Sequence, residues 1–202
     1  MSSTSERRGS VTESARARIL DVSWELIATR GVADVTMAEV AKAAGTSRQT
    51  VYVQFGSRAR LLVEMVQHRD ATNPERDEIV QSRAIEDPDA ALEAFVVVLA
   101  HRWRATHPVA QALHAAAVSD GDARAAWENR MSTVLKMARR VTDLMAERGR
   151  LAAAWTSDSA ADWLWSTVHP LTWVHLVVER GWSQQQYERR IVLVTRSTLM
   201  AA

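Results

Sequence analysis

Between Glu39 and Glu64 the chain carries no carboxylate, while Lys42, Arg48, Arg58 and Arg60 are all basic. A local cationic surface of this kind is what neutralising phosphates requires. Within the same stretch, Ser47, Arg48, Gln49, Thr50, Val53 and Gln54 fall on the outward side of a short segment that follows Gly45. Short polar side chains on a helix can hydrogen-bond to base edges and phosphates in a major groove. A second group of residues points to different chemistry. Seven of the eight tryptophans lie beyond residue 100, accompanied by His101, His107, His114, His169 and His175. Indoles can line a cavity for a flat apolar or aromatic molecule. The histidines show neither His-x-x-x-His nor HExxH spacing, and the chain has no cysteine, so no metal site and no cofactor are expected. No Ser-His-acid arrangement or phosphate loop is present either, so the chain is not expected to be an enzyme.

Composition bounds these readings. With 202 residues, 47% hydrophobic and 24% charged, the chain is expected to fold as a globular protein. A net charge of +1 excludes a global basic excess, so a nucleic acid would have to be met by a local patch. The N-terminus MSSTSERRGSVTESAR lacks an apolar stretch, and the apolar run from Ala94 to Ala100 is far short of the ~20 residues a membrane span needs. A soluble, cytoplasmic protein is expected, with no membrane partner.

The elements that must position these residues read as helices throughout. Ser10-x-x-Glu13, Thr36-x-x-Glu39, Thr46-x-x-Gln49 and Ser183-x-x-Gln186 have the capping-box form. Asn73-Pro74, Asp87-Pro88 and His107-Pro108 place proline where a helix can begin, and Pro170 should kink or break one. Apolar stripes recur at helical spacing: Ile19, Val22, Leu26 and Ile27; Leu92, Phe95, Leu99 and Trp103; and Trp127, Met131, Val134, Ala138, Val141 and Met145. The predicted helices span 10–30, 36–43, 47–54, 57–71, 74–83, 88–105, 108–118, 122–148, 157–180 and 183–200. Glycines 31, 45, 56, 121, 149 and 181 fall at their ends.

Two very short helices joined at Gly45 form a helix-turn-helix, with Ala41 small at the crossing and Val51 facing Val40 in the core. The run Thr36-x-x-Glu-Val-Ala-x-x-Ala-Gly-Thr-Ser-x-x-Thr-Val-Tyr-x-x-Phe-Gly-Ser-Arg58 resembles the N-terminal module of the tetracycline-repressor (TetR) family. The preceding helix, ending in a TRG turn, matches as well. The resemblance covers about a quarter of the chain by motif and the rest by architecture. It implies an all-α fold, a homodimeric transcriptional regulator answering to a small molecule, and a palindromic DNA operator. It implies that Thr46 and Ser47 cap the reading helix, that Thr50 and Tyr52 contact DNA, and that Thr36 and Arg58 meet phosphates, Arg58 standing where the family usually has lysine. Arg48, Gln49 and Gln54 complete the expected DNA-binding set. Val53 and Gln54 depart from the family, which commonly has a polar or aromatic residue and a histidine there.

The expected organisation is an arm over residues 1–9, a DNA-binding domain with its connecting helix over 10–70, and a ligand-binding and dimerisation domain over 71–202. A hydrophobic or aromatic effector is expected among Trp103, His114, Met131, Leu135, Trp165, His169 and Trp173, around the kink at Pro170. Leu164, Val168, Leu171, Val178, Ile191, Val194, Thr198 and Leu199 form more apolar surface than one helix can cover, and a four-helix seam between two copies would bury it. The alternative is a small helical enzyme or carrier for a hydrophobic compound, with the hairpin merely structural.

Overall fold

A computed structural model describes residues 3–30, 35–72 and 76–201. Ten α-helices follow one another in this part of the chain: α1 (Ser3–Arg30), α2 (Met37–Ala43), α3 (Arg48–Phe55), α4 (Arg58–Thr72), α5 (Arg76–Arg83), α6 (Pro88–Ala116), α7 (Gly121–Glu147), α8 (Ser157–Thr167), α9 (Pro170–Trp173) and α10 (Gln184–Leu199). A π-helix, Val174–Glu179, continues α9. Among the described residues there is no strand, only an isolated antiparallel bridge between Leu151 and Met200. None of these helices is long and apolar enough to cross a membrane. Gly31 and Asn73-Pro74 lie outside the described residues.

Local chemistry accounts for most boundaries. Thr36 and Glu39 make the reciprocal capping box, Thr36 N–H donating to Glu39 Oε2 at 2.8 Å and Glu39 N–H to Thr36 Oγ1 at 3.3 Å. Asp87 opens α6 by accepting from Ala90 N–H at 2.8 Å, and Ser183 opens α10 by accepting from Gln186 N–H at 3.1 Å. Three expectations need correction. Helix α1 begins at Ser3, so Ser10 and Glu13 lie inside it rather than at a helix start, and no break marks residue 10. Serine, glutamate and arginine are tolerated in a helix, and one interior glycine costs only about 1 kcal/mol.

Pro108 does not separate two helices, because α6 runs through it. Proline leaves Arg104 O without its i+4 donor, and the His107 ring supplies an N–H to that carbonyl at 3.3 Å. Pro170, conversely, restarts a helix rather than kinking one. Helix α8 ends at Thr167, and Pro170 takes the first position of α9 behind an N-cap from His169, whose Nδ1 accepts from Leu171 N–H at 3.3 Å.

The chain divides into two compact units. The first holds residues 1–73 together with Pro108–Trp127. Its core joins Ile19 and Ile27 of α1, Val40 and Ala41 of α2, Val51 and Phe55 of α3, and Leu61 and Met65 of α4. The end of α6 and the start of α7 add Val109, Leu113 and Ala123 to that core.

The second unit holds Pro74–His107 and residues 128–202. Leu92, Phe95, Leu99 and Trp103 of α6 are buried there, as are Val134, Ala138, Val141 and Met145 of α7, matching the stripes read from sequence. Arg196 near the end of α10 reaches Asp89 at 3.3 Å and Glu93 at 3.5 Å, and Arg150 reaches Asp89 at 3.2 Å, fastening both to the start of α6.

Candidate functional site

In the first unit, α2, α3 and their turn form the predicted hairpin. Gly45 makes the turn at φ +63°, a conformation that costs a residue with a Cβ. Thr46 N–H donates back to Ala41 O at 2.9 Å, so Thr46 belongs to the turn. The cap of α3 is Ser47 alone, which accepts from Thr50 N–H at 3.0 Å; the expected Thr46-x-x-Gln49 box is displaced by one residue. The Ser47 and Thr50 hydroxyls also hydrogen-bond to each other at 2.8 Å. Inward, Val51 and Phe55 are fully buried and fix the rotation of the helix. Burying such side chains stabilises by roughly 1.5–3 kcal/mol each.

That rotation leaves Arg48, Gln49, Tyr52 and Val53 facing out, with Val53 79% and Tyr52 40% exposed. The Arg48 guanidinium stacks over the Tyr52 ring at 5.3 Å, which orients both without consuming the charge on a carboxylate. Ser47, Lys42 and Arg58 are exposed as well, Arg58 as the first residue of α4. Arg60 is differently placed, 3.7 Å from both Glu64 and Asp122. Thr36, exposed at the start of α2, sits behind Glu39, whose carboxyl is held down to about 2 by the Thr36 backbone hydrogen bond and the Arg30 side chain.

Gln54 is half-buried rather than outward. Its backbone carbonyl accepts from Arg16 Nη1 at 3.2 Å, while the Arg16 guanidinium lies 4.8 Å over the Phe55 ring and pairs with Glu64. Arg16 thus braces the end of α3 from α1 and α4. Sequence reading missed it. The signal was a basic residue on the same helical face as Ile19 and Leu20, one turn away, where an apolar residue would be expected.

In the second unit three of the tryptophans expected to line a cavity are packed and hydrogen-bonded. Trp103 is fully buried, and its indole N–H donates to Val168 O at 2.8 Å. Trp165 donates to Met131 O at 3.1 Å and meets His169 edge-on at 5.2 Å. Trp173 donates to Gln184 Oε1 at 3.2 Å and stands 5.0 Å from His107. Met131 is buried and Leu135 half-buried beside them on α7. His114 belongs to the first unit, where it meets Trp127 at 4.7 Å. The other six residues belong to the second unit.

A cavity of about 280 Å³ opens elsewhere in the second unit, between α5, α6 and α7, and none of the seven expected residues lines it. Ala91, Phe95, Met137 and Val141 form its apolar floor, and Arg83, Lys136 and Arg140 stand around it.

The apolar surface of the last helices also needs redrawing. Leu164, Val168, Ile191 and Leu199 are buried within the chain itself, so they are not free to meet a partner. Thr198 and Leu171 are half-buried, Thr198 O accepting from the Trp155 indole at 2.9 Å. The exposed remainder is Val178, Leu193 and Val194, at 52%, 58% and 46%. An amphipathic helix has one face for its own core, and half of the sequence-derived set lies on that face.

Residues 19–65 match the family described as bacterial regulatory proteins, tetR family. This stretch of the chain, from α1 into α4, carries the module of that family. An uncharacterized HTH-type transcriptional regulator of Mycobacterium tuberculosis is 40% identical over 77 residues, which is 38% of this chain and 38% of that one. The shared stretch thus spans well under half of either protein. At the level of fold, a transcriptional-regulator structure from Saccharomonospora viridis in complex with choline superimposes with a TM-score of 0.80 at 19% identity, covering 94% of this chain and all of that one. The transcriptional regulator FadR from Bacillus subtilis, in complex with stearoyl-CoA, does so at 0.71 and 13% identity, covering 89% of this chain and 97% of that one. These two show that the likeness of fold extends over most of this chain.

Proposed function

We propose that this chain is a one-component transcriptional repressor that binds a palindromic operator as a homodimer and leaves it when a small molecule occupies the second unit. The reading rests on one observation above all. Helix α3 is held from behind by Val51, Phe55 and Arg16, and presents Ser47, Arg48, Gln49, Tyr52 and Val53 outward with no carboxylate on its own length. Arg48 and Gln49 reach base edges, Tyr52 and Thr50 position the helix, Val53 meets a thymine methyl, and Thr36, Lys42 and Arg58 neutralise phosphates. Gln54 acts from its half-buried place by supporting the helix end. The reading head works where bacterial DNA is, in the cytoplasm.

A dimer supplies the second reading head. Val178, Leu193 and Val194 are the apolar side chains of the last helical segments left open to a second copy. The ligands of the two fold relatives support responsiveness to a small molecule but have opposite charge, choline being a cation and stearoyl-CoA an anion. They do not select an effector class. The test is binding of the full chain to the DNA upstream of its own gene, followed by fluorescence anisotropy across a salt series. Nanomolar, strongly salt-dependent binding in excess of that to scrambled DNA is expected. Equal, weak binding to both DNAs would overturn the reading.

A further inference from the structure

The cavity between α5, α6 and α7 has a composition that selects charge. Its floor is apolar: Phe95 is 2% and Val141 5% exposed. Its charged lining among the described residues is cationic, with no described aspartate or glutamate in it. Arg83, Lys136 and Arg140 make no ion pair with any described residue. Of the described carboxylates, Glu86 is engaged by Arg148 at 3.7 Å, Asp158 by Arg139 at 2.7 Å, and Asp143 by the Ser157 hydroxyl. The two hydroxyls at the edge, of Ser82 and Thr133, donate to Ile79 O and Asn129 O of their own helices. Among the described lining residues, the unspent donors facing a guest are therefore the three cations.

We propose that this cavity takes an amphipathic organic carboxylate, its hydrocarbon or aromatic body on Phe95, Met137 and Val141 and its head among Arg83, Lys136 and Arg140. Resting on the ligand-responsive reading above, this names the chemical class of the effector and moves its site away from the tryptophans. Like charges around one mouth repel each other, and an anionic head relieves that repulsion whereas a cation adds to it. A guanidinium engages a carboxylate through two parallel hydrogen bonds, and an ammonium adds a point charge beside it. A wholly polar anion would leave the buried Phe95 floor without a guest. At about 280 Å³ the space lies at the small end of ligand sites, which favours a medium-chain or arylalkanoic acid over a long acyl chain.

Isothermal titration of the full chain with octanoate and 3-phenylpropanoate, against octan-1-ol and octyltrimethylammonium, tests this directly and without DNA. One carboxylate per chain should bind at least about tenfold more tightly than the alcohol or the cation. Lys136→Gln and Arg140→Gln should each weaken carboxylate binding by about tenfold and leave the alcohol unchanged, while Lys136→Arg keeps most of the affinity. These side chains are exposed, so the variants should fold, which circular dichroism checks. The proposal is overturned by carboxylates that bind no tighter than octanol, that do not bind at all, or that are indifferent to the double variant. Operator binding of the same proteins, measured separately, distinguishes the two failures. DNA binding without carboxylate binding removes this site and leaves the regulator. Carboxylate binding that never displaces DNA leaves the site and removes its regulatory role.

Discussion

The two units use aromatic side chains in opposite ways. In the first, Tyr52 stands outward with Arg48 stacked on it, and the adjacent core is aliphatic apart from Phe55 and Trp24. In the second, Trp103, Trp165 and Trp173 face inward with every indole N–H delivered to a named acceptor. An aromatic on a rigid small helix is available for recognition. An aromatic that ties together helices distant in sequence is committed to stability. The lesson is that a high tryptophan count marks where long helices are joined, and only the residues not so engaged are left to meet a ligand.

The largest expected effect attacks the second half of this comparison. Trp103→Ala removes a fully buried indole and leaves Val168 O without its donor, and should lower unfolding free energy by about 3–5 kcal/mol in urea titration. If it merely altered ligand affinity at unchanged stability, the packed reading would be wrong. Next comes assembly: Val194→Arg should give monomers in light scattering, because a charge forced into an apolar seam costs several kcal/mol. A variant that stayed dimeric would move the seam elsewhere.

Tyr52→Ala should do the reverse of Trp103→Ala. It removes an exposed ring, so stability should hold within about 0.5 kcal/mol while operator affinity falls on the order of ten- to a hundredfold. Ser47→Ala should cost about 1 kcal/mol of stability, as loss of a helix cap does, and weaken DNA binding through fraying of α3.

The smallest effect concerns Glu39, an exposed carboxylate held at about 2, below its ordinary 4.5, by the Thr36 backbone and Arg30. Its contribution is present in full above pH 4.5 and is lost as pH falls toward 2. The urea midpoint of Glu39→Gln should therefore lie below that of the wild type at pH 7 and converge with it near pH 2. A gap that persisted at pH 2 would assign the effect to something other than this ionised carboxylate.

The sequence by itself determined the all-helical class, the hairpin of α2 and α3, the inward turn of Val51, and the apolar stripes of α6 and α7. Each of these depends on residues within one or two helical turns, where capping, glycine conformation and 3.6-residue spacing act without knowledge of the rest of the chain. The same locality made the cap at Ser47 legible to within one residue. Only the tertiary structure decided that Arg16 braces Phe55 across 39 positions, and that Trp103 is bound to Val168 across 65. It likewise decided that Leu164 and Leu199 face their own core while Val194 faces out, and that Arg83, Lys136 and Arg140 come together around one cavity. A helical stripe tells that a face is buried but not against what. The partner of a face is set by loop closure and packing between distant segments, which periodicity does not encode.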